Sequence, residues 1–311
     1  MIISASRRTD IPAYYSEWFL NRIREGYVLV RNPMNFHQIS KINLLPEVVD
    51  GIVFWTKNPL PLLNRLSDLA AYTYYFQFTL TAYGKDAEPN IPSKNHVIIP
   101  SFQKLSSLIG KDKIIWRYDP VFFNKTYTIE YHCKYFKALA EKLHNYTEKC
   151  TVSFLDIYRN TLHNTQCLNI KPETQQQQIE LMQRFAQIAK EFEITLDTCA
   201  EKLNLDAFGI AHAHCIDKDR FEQIGNYKLT IAKDKNQRLE CGCSSSIDIG
   251  AYNTCKNGCL YCYANYNSST VTKNFKMHNP SAPLLFGEIG PSDEIKERTV
   301  QSCKDWQCQL L

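Results

Sequence analysis

No window of the 311-residue chain approaches the length of a membrane span, and no basic or acidic tail stands out. The first absence excludes an integral helical membrane protein. The second removes the simplest sign of polynucleotide binding, because 36 basic and 32 acidic residues are spread along the chain to a net charge of +4. A basic groove formed locally stays compatible with that balance. Internal repeats and Ser/Gly-rich linkers are also absent, so one compact domain is expected. The stretch Met1-Ile2-Ile3-Ser4-Ala5-Ser6-Arg7-Arg8 carries its charges after a very short apolar run, unlike a secretory leader, and a cytoplasmic protein is expected. With 44% hydrophobic and 22% charged residues the chain can bury one large core or two modest ones. Its 12 cysteines, in a reducing compartment, are expected as metal ligands and buried thiols rather than a disulfide framework.

The most specific absence is local. In Thr254-Cys255-Lys256-Asn257-Gly258-Cys259-Leu260-Tyr261-Cys262-Tyr263, three cysteines have Cys-x3-Cys-x2-Cys spacing and no fourth partner in the run. A structural zinc ion closes with four protein ligands, whereas three thiolates on a cubane iron–sulfur cluster leave one iron free for another ligand. The competing reading is a zinc knuckle completed by a distant Cys241, Cys243 or His278.

Apolar, β-rich runs recur at Ile2–Ser6, Gly51–Thr56, Tyr74–Leu80, Ile114–Tyr118, Thr151–Asp156 and Ile194–Thr198. Helix-period segments lie between several of them: Tyr15, Trp18, Phe19, Arg22 and Ile23 form one face, and Leu181, Phe185, Ile188 and Phe192 form a second stripe. Gln175–Gln178, after Pro172 and Glu173, begins that second helix. Tyr27–Leu44, with Val28, Val30 and the Asn32-Pro33 turn, reads as an inserted hairpin or irregular loop. The alternation predicts an α/β fold: a partial or full (β/α) TIM-like barrel with an irregular cysteine-rich C-terminal region. Candidate residues then fall at the C-terminal strand ends, where such folds build sites: Arg7 to Asp10, Lys57, Thr79 and Thr81, Arg117 and Asp119, and Cys199. Asp10 is equally suited to cap a helix beginning near Pro12. Arg117 could simply pair with Asp119, and Lys57 could be a solvated strand end.

The cluster loop with its Tyr261-Cys262-Tyr263 ending resembles that of the radical S-adenosylmethionine superfamily, and the remaining blocks resemble its spore photoproduct lyase-like branch. Those blocks are Thr9-Asp10, Thr56-Lys57, Thr79-Leu80-Thr81 with Glu88-Pro89, and Arg117-Tyr118-Asp119-Pro120. The order differs in one respect, since the cluster loop comes last. A circular permutation accounts for this, with Ser246-Ile247-Asp248-Ile249-Gly250 as the first barrel strand beside Ile2–Ser6. Nearly the full length also resembles an uncharacterised bacterial family, domain of unknown function 1848. The resemblance implies one domain over 1–311, with most barrel strands in 1–198, a cysteine-rich cluster region in 199–263 holding the permuted strand, and a tail over 264–311. It implies that Cys255, Cys259 and Cys262 hold a 4Fe-4S cluster, that Tyr261 packs near the adenine of S-adenosylmethionine, and that Lys57, Thr79, Thr81 and Arg117 line its pocket. A Gly-Gly-Glu run, used by many superfamily members for the methionine amino group, is not evident. The implied activity is hydrogen abstraction by a 5′-deoxyadenosyl radical, with a reductant such as flavodoxin or ferredoxin.

A second set of thiols comprises Cys199, Cys215 and the Cys241-Gly242-Cys243 pair, enough to close an auxiliary 4Fe-4S cluster or a zinc site, with His212 or His214 as substitutes. Buried thiols unrelated to one another are the plain alternative. Cys133, Cys150, Cys167, Cys303 and Cys308 have no motif spacing, and His37, His96, His132, His144 and His163 are expected to cap, pack or face solvent. Arg7, Arg8, Asp10 and Asp119 are the candidates for acting on substrate. The substrate class is open between small molecule, peptide and nucleic acid; the 18 tyrosines do not decide it, because aromatics also fill cores. A non-catalytic zinc or iron–sulfur module is the rival to an enzyme.

Overall fold

A computed structural model describes residues 1–305; Cys308 lies outside them. In chain order the strands are β1 (Ile2–Ala5), β2 (Tyr27–Arg31), β3 (Gln38–Asn43), β4 (Gly51–Thr56), β5 (Tyr74–Thr79), β6 (Ile114–Val121), β7 (Lys149–Phe154), β8 (Thr195–Thr198), β9 (Ala211–His212), β10 (Ile247–Asp248) and β11 (Glu294–Glu297). Helices α1 (Ile11–Tyr14) and α2 (Ser16–Glu25) follow β1, α3 (Leu60–Leu63) follows β4, α4 (Ile99–Ile109) follows β5, and α5 (Ile129–Leu143) follows β6. Then α6 (Arg159–Asn164) and α7 (Gln175–Glu191) follow β7, α8 (Lys218–Gly225) follows β9, and α9 (Ser268–Lys276) lies between β10 and β11.

Eight strands form a parallel sheet in the order β10-β1-β4-β5-β6-β7-β8-β9. A partial or full barrel is the expectation, but the sheet does not close: it is open, and each edge ends in a strand of two residues. Strands that short offer too few backbone groups to carry a ladder onward. The run around Ile247 does pair beside β1, with Ile3 opposite Ile247 and Ser4 opposite Asp248. The expected hairpin is present as antiparallel β2–β3, and β11 adds to it in parallel, so part of the 264–311 region docks as a third strand.

Side chains alternate across each strand, and the two faces of this sheet meet different partners. Ile3, Ile52, Phe54, Phe76, Phe78, Trp116 and Tyr118 pack with Phe19 of α2, Phe102 of α4, Phe136 of α5 and Phe185 of α7 in the main core. Ile2, Val53, Tyr75 and Ile115, on the opposite face, pack instead against the segment that carries Cys215, Ile216, Phe221, Tyr227, Leu229, Cys241 and Cys243. Helices thus cover one face, and the cysteine-rich segment with α8 covers the other. The period of two carries Gln77 and Thr79, Arg117 and Asp119, and Ser153 to that second face. Among the described residues no helix is long and apolar enough to cross a membrane.

Candidate functional site

A cleft of about 510 Å³ opens at the C-terminal ends of the parallel strands. It is lined from β1 and the turn after it by Arg7, Arg8 and Asp10, from β4 by Trp55 and Lys57, from β5 by Thr79, and from β6 by Arg117 and Asp119. Cys255, Cys259, Cys262 and Tyr261 line it as well, and so do Cys199, Cys215, Cys241 and Cys243. Both cysteine groups therefore meet in one space. Thr81 is the exception among the expected residues: it is buried behind the cleft and donates to Glu88 Oε1 at 2.9 Å.

The Cys255–Cys262 loop is held through its backbone by neighbouring side chains. Tyr15 Oη donates to the Thr254 carbonyl at 2.6 Å, Asn265 Nδ2 to the Cys255 carbonyl at 2.8 Å, and Asn90 Nδ2 to the Lys256 carbonyl at 2.9 Å, while the Leu260 N–H donates to the Ala87 carbonyl at 3.0 Å. Gly258 sits at φ +68°, and a Cβ there would come within 2.7 Å of Asn90 Nδ2. Only glycine meets both demands without strain. Asn257 ties the loop to α1 and its cap, since its Nδ2 donates to Asp10 Oδ2 at 3.0 Å and its Oδ1 accepts from Tyr14 Oη at 2.9 Å.

Asp10 is buried and its two oxygens accept four hydrogen bonds, from Ala13 N, Thr56 Oγ1, Lys57 N and Asn257 Nδ2. It caps α1 as its position before Pro12 suggests, and it also joins three segments. Burial still raises its pKa in spite of the four donors. All four of its acceptor positions are thus taken up by the fold.

Beneath the loop lies a charged cluster that the sequence pattern marks only as Glu88-Pro89. Glu88 is buried, accepts from Lys57 Nζ at 2.7 Å and is ion-paired with Lys94 Nζ at 2.5 Å, and Tyr261 Oη donates to it as well. Burial opposes its ionisation, but the two ammonium groups outweigh that and hold its pKa down to about 2. Lys57 Nζ also reaches Tyr261 Oη at 3.0 Å. Two cations on one carboxylate leave that cluster with a net positive charge, while the Asp10 carboxylate meets the loop through Asn257. Burial raises the pKa of Cys255, Cys262 and Cys259, the last to about 12, so without a metal these are neutral thiols. A bound cationic centre inverts that preference, because thiolate ligation offsets the desolvation.

The second group is assembled from three segments. Cys199 Sγ lies 3.0 Å from Cys215 Sγ, Cys215 also contacts Cys243, and Cys243 contacts Cys241. Arg117 Nη1 lies 2.9 Å from Cys215 Sγ, while its Nε donates to Asp119 Oδ2 at 3.0 Å. Burial works against Asp119 as an anion, yet Arg117 and Ser153 hold its pKa low. The guanidinium groups of Arg7 and Arg117 lie 5.6 and 5.1 Å from the Trp55 ring centroid. Arg8 stands over Tyr252 at 5.0 Å. His212 and His214 are exposed, and the ring of His214 packs against Gly242, where a Cβ would fall 2.2 Å from it. The glycine of Cys-Gly-Cys thus makes room for a side chain. His278, the distant zinc candidate, instead bonds the Leu285 carbonyl at 2.7 Å and lies edge-on to Tyr15.

Among the described residues no three His, Cys, Asp or Glu side chains group around the position of a single ion. A cubane makes a different demand, because each thiolate binds its own iron and the thiolates stand apart. Three cysteines on one fixed loop, all opening into the cleft, supply the three thiolates that such a cubane takes from the protein. Residues that sequence reasoning passed over include Asn257, Asp248 and Ser153. Asp248 accepts from Ser4 Oγ at 2.9 Å, Ser6 Oγ at 2.6 Å and Arg7 N at 2.8 Å, tying β10 to the end of β1. Nothing local in the sequence marks these, since each is paired with groups more than 30 positions away.

The family model described as domain of unknown function (DUF1848) matches residues 2–264. The chain belongs to this family. The match runs from β1 through both cysteine groups and ends two residues after Cys262, so the family's shared region contains the whole cleft lining named above. A comparison with curated proteins gives no match.

Proposed function

We propose that this member of the DUF1848 family is a radical S-adenosylmethionine enzyme. The observation that carries the reading is the three-thiol loop, fixed by Asp10, Asn90 and Asn265 and opening into a cleft beside the Lys57–Glu88–Lys94 cluster. Cys255, Cys259 and Cys262 would hold a 4Fe-4S cluster, and Lys57, Thr79, Arg117 and Tyr261 would surround S-adenosylmethionine. When bound, that pair supplies a 5′-deoxyadenosyl radical, after one electron arrives from a reductant such as flavodoxin or ferredoxin.

The protein's own part is orientation and exclusion of water. Glu88 locks Lys57 Nζ and Tyr261 Oη in place, so the cation and the ring that flank the loop are preorganised. Thr81 acts through Glu88 rather than on a ligand. Arg7, Arg8 and Asp119 are left as the polar side chains that meet a substrate, whether small molecule, peptide or nucleic acid. The parallel pairing of β10 with β1 supports a circularly permuted arrangement of the lyase-like barrel.

The test is anaerobic reconstitution with iron and sulfide, followed by addition of dithionite and S-adenosylmethionine. Release of 5′-deoxyadenosine by the wild type and none by Cys255→Ala is expected. Iron-loaded wild type that releases none, and so behaves as Cys255→Ala does, would sink the reading. Repeating the assay with metabolite, nucleoside and peptide panels then identifies the substrate class.

A further inference from the structure

Most of the cations that line the cleft already have their acceptors. Glu88 holds Lys57, Asp119 holds Arg117 and Asp156 holds Arg238, while Arg8 lies 4.0 Å from Asp248 and its Nη1 donates to the Gly250 carbonyl at 3.5 Å. Arg7 is the exception: its guanidinium has no hydrogen-bond acceptor and no ion pair among the described residues, and its Nη2 is buried. Asp248 is near enough to act on that charge, but its oxygens already accept from Ser4 Oγ, Ser6 Oγ and the N–H groups of Arg7 and Gly250. Beside Arg7 stands Trp55 of the neighbouring strand, its ring centroid 5.6 Å from the guanidinium carbon. Trp55 Nε1 is a second buried donor with no partner among the described residues. The indoles of Trp18 and Trp116, away from the cleft, are satisfied by the Ala282 and Leu80 carbonyls, each at 2.9 Å. Thr9, only 4% exposed, lines the cleft as well and leaves a buried hydroxyl unpaired among the described residues. Buried donors are seldom left open, and three at neighbouring strand ends mark where a ligand brings the acceptor.

We propose that Arg7 and Trp55 form a subsite for an oxyanion, a carboxylate or a phosphate ester, carried by the substrate. The guanidinium supplies charge and a planar fork, and the indole N–H donates only, so a negatively charged group that only accepts satisfies both. A neutral amide would leave the cation without a counter-charge. That the oxyanion belongs to a substrate rests on the radical reading, in which Lys57, Thr79, Arg117 and Tyr261 surround the cofactor; binding of the anion itself does not.

The experiment labels the full chain with 15N-tryptophan, before iron loading, and titrates it with acetate, methyl phosphate and uncharged acetamide while the indole N–H resonances are followed. Trp55→Phe identifies the Trp55 signal by its loss. At least one of the two anions should shift that signal to saturation and leave those of Trp18 and Trp116 in place, and acetamide should not. Whichever anion saturates at the lower concentration names the source. Arg7→Gln should weaken binding about tenfold or more, with Arg7→Lys, which keeps the charge and loses the fork, in between. Equilibrium dialysis of the same anions against iron-loaded protein repeats the comparison should the metal-free chain fail to fold, and there S-adenosylmethionine should leave the bound anion in place. The proposal is overturned if neither anion binds, if acetamide binds as well as they do, if Arg7→Gln titrates as the wild type does, or if S-adenosylmethionine displaces the anion. A protein that binds the anion and releases no 5′-deoxyadenosine would remove the radical reading and keep the anion site.

Discussion

Cys255, Cys259 and Cys262 come from a single loop, whereas Cys199, Cys215, Cys241 and Cys243 arrive from three segments, and different forces hold the two groups in the same cleft. The first group rests on hydrogen bonds to its backbone and on the ionic cluster around Glu88. The second is packed into an apolar patch with Ile216, Phe221 and Leu229, and its polar contacts run directly to sulfur, from Arg117 and from the Ile216 N–H. A loop can be preformed when its backbone is satisfied by neighbours, leaving its side chains for a ligand. An assembled group needs the whole face of the sheet in place before its sulfurs meet.

The sharpest way to break this contrast is at Glu88. Glu88→Ala leaves Lys57 and Lys94 buried without their anion and should cost about 3–5 kcal/mol in denaturant unfolding of the metal-free protein. A loss as small as that of a surface substitution would show that ionic support is not what holds the first region. Acid should act on the same point. The Glu88 pKa is depressed in the fold, so its contribution is fully present above the ordinary carboxylate range and is lost as pH falls from about 4.5 toward about 2. Wild-type stability should therefore drop across that window more steeply than that of Glu88→Gln, as read by midpoint denaturation against pH.

Asp10→Ala should follow at about 2–4 kcal/mol, since it strips a helix cap and leaves buried donors on Thr56, Lys57 and Asn257. Hydrogen exchange should then quicken in residues 254–263 while the protection of β8 stays as it was. Equal quickening in both would mean that Asp10 supports the fold at large. The glycines give the finest comparison. Gly258→Ala combines a left-handed φ with a close approach to Asn90 and should cost about 1–2 kcal/mol. Gly242→Ala meets only the exposed ring of His214, which can swing away, and should cost less than about 1 kcal/mol in thermal unfolding. Reversal of that order would show that the Cys-Gly-Cys turn is the tighter of the two.

Much of the fold was legible because its causes are local. Apolar runs marked the first six parallel strands to within two or three residues at either end, the Asn32-Pro33 turn marked the β2–β3 hairpin, and Asp10 before Pro12 marked a helix start. The stripe on α7 was also readable, with Leu181 and Phe185 buried and Ile188 and Phe192 partly so. Within the site, spacing singled out the Cys255 loop, and strand-end position singled out Lys57 and Arg117. Thr79 and Thr81 looked equivalent in sequence, yet the first lines the cleft and the second lies behind Glu88. β5 ends at Thr79, so the strand period no longer governs where Thr81 points.

By itself the sequence determined six parallel strands, the β2–β3 hairpin, the Asp10 cap and the three-thiol loop, because periodicity, capping and ligand spacing act over a few residues; the β10 run beside β1 was expected only from the family resemblance. Tertiary structure alone decided that the sheet stays open and that its uncovered face is filled by the segment holding four further cysteines. It also decided that Glu88, Lys57, Lys94 and Tyr261 form one cluster, and that Arg117 turns to Cys215 as well as to Asp119. Those contacts join residues as many as 204 positions apart, and which of them form depends on which face each strand turns to the core.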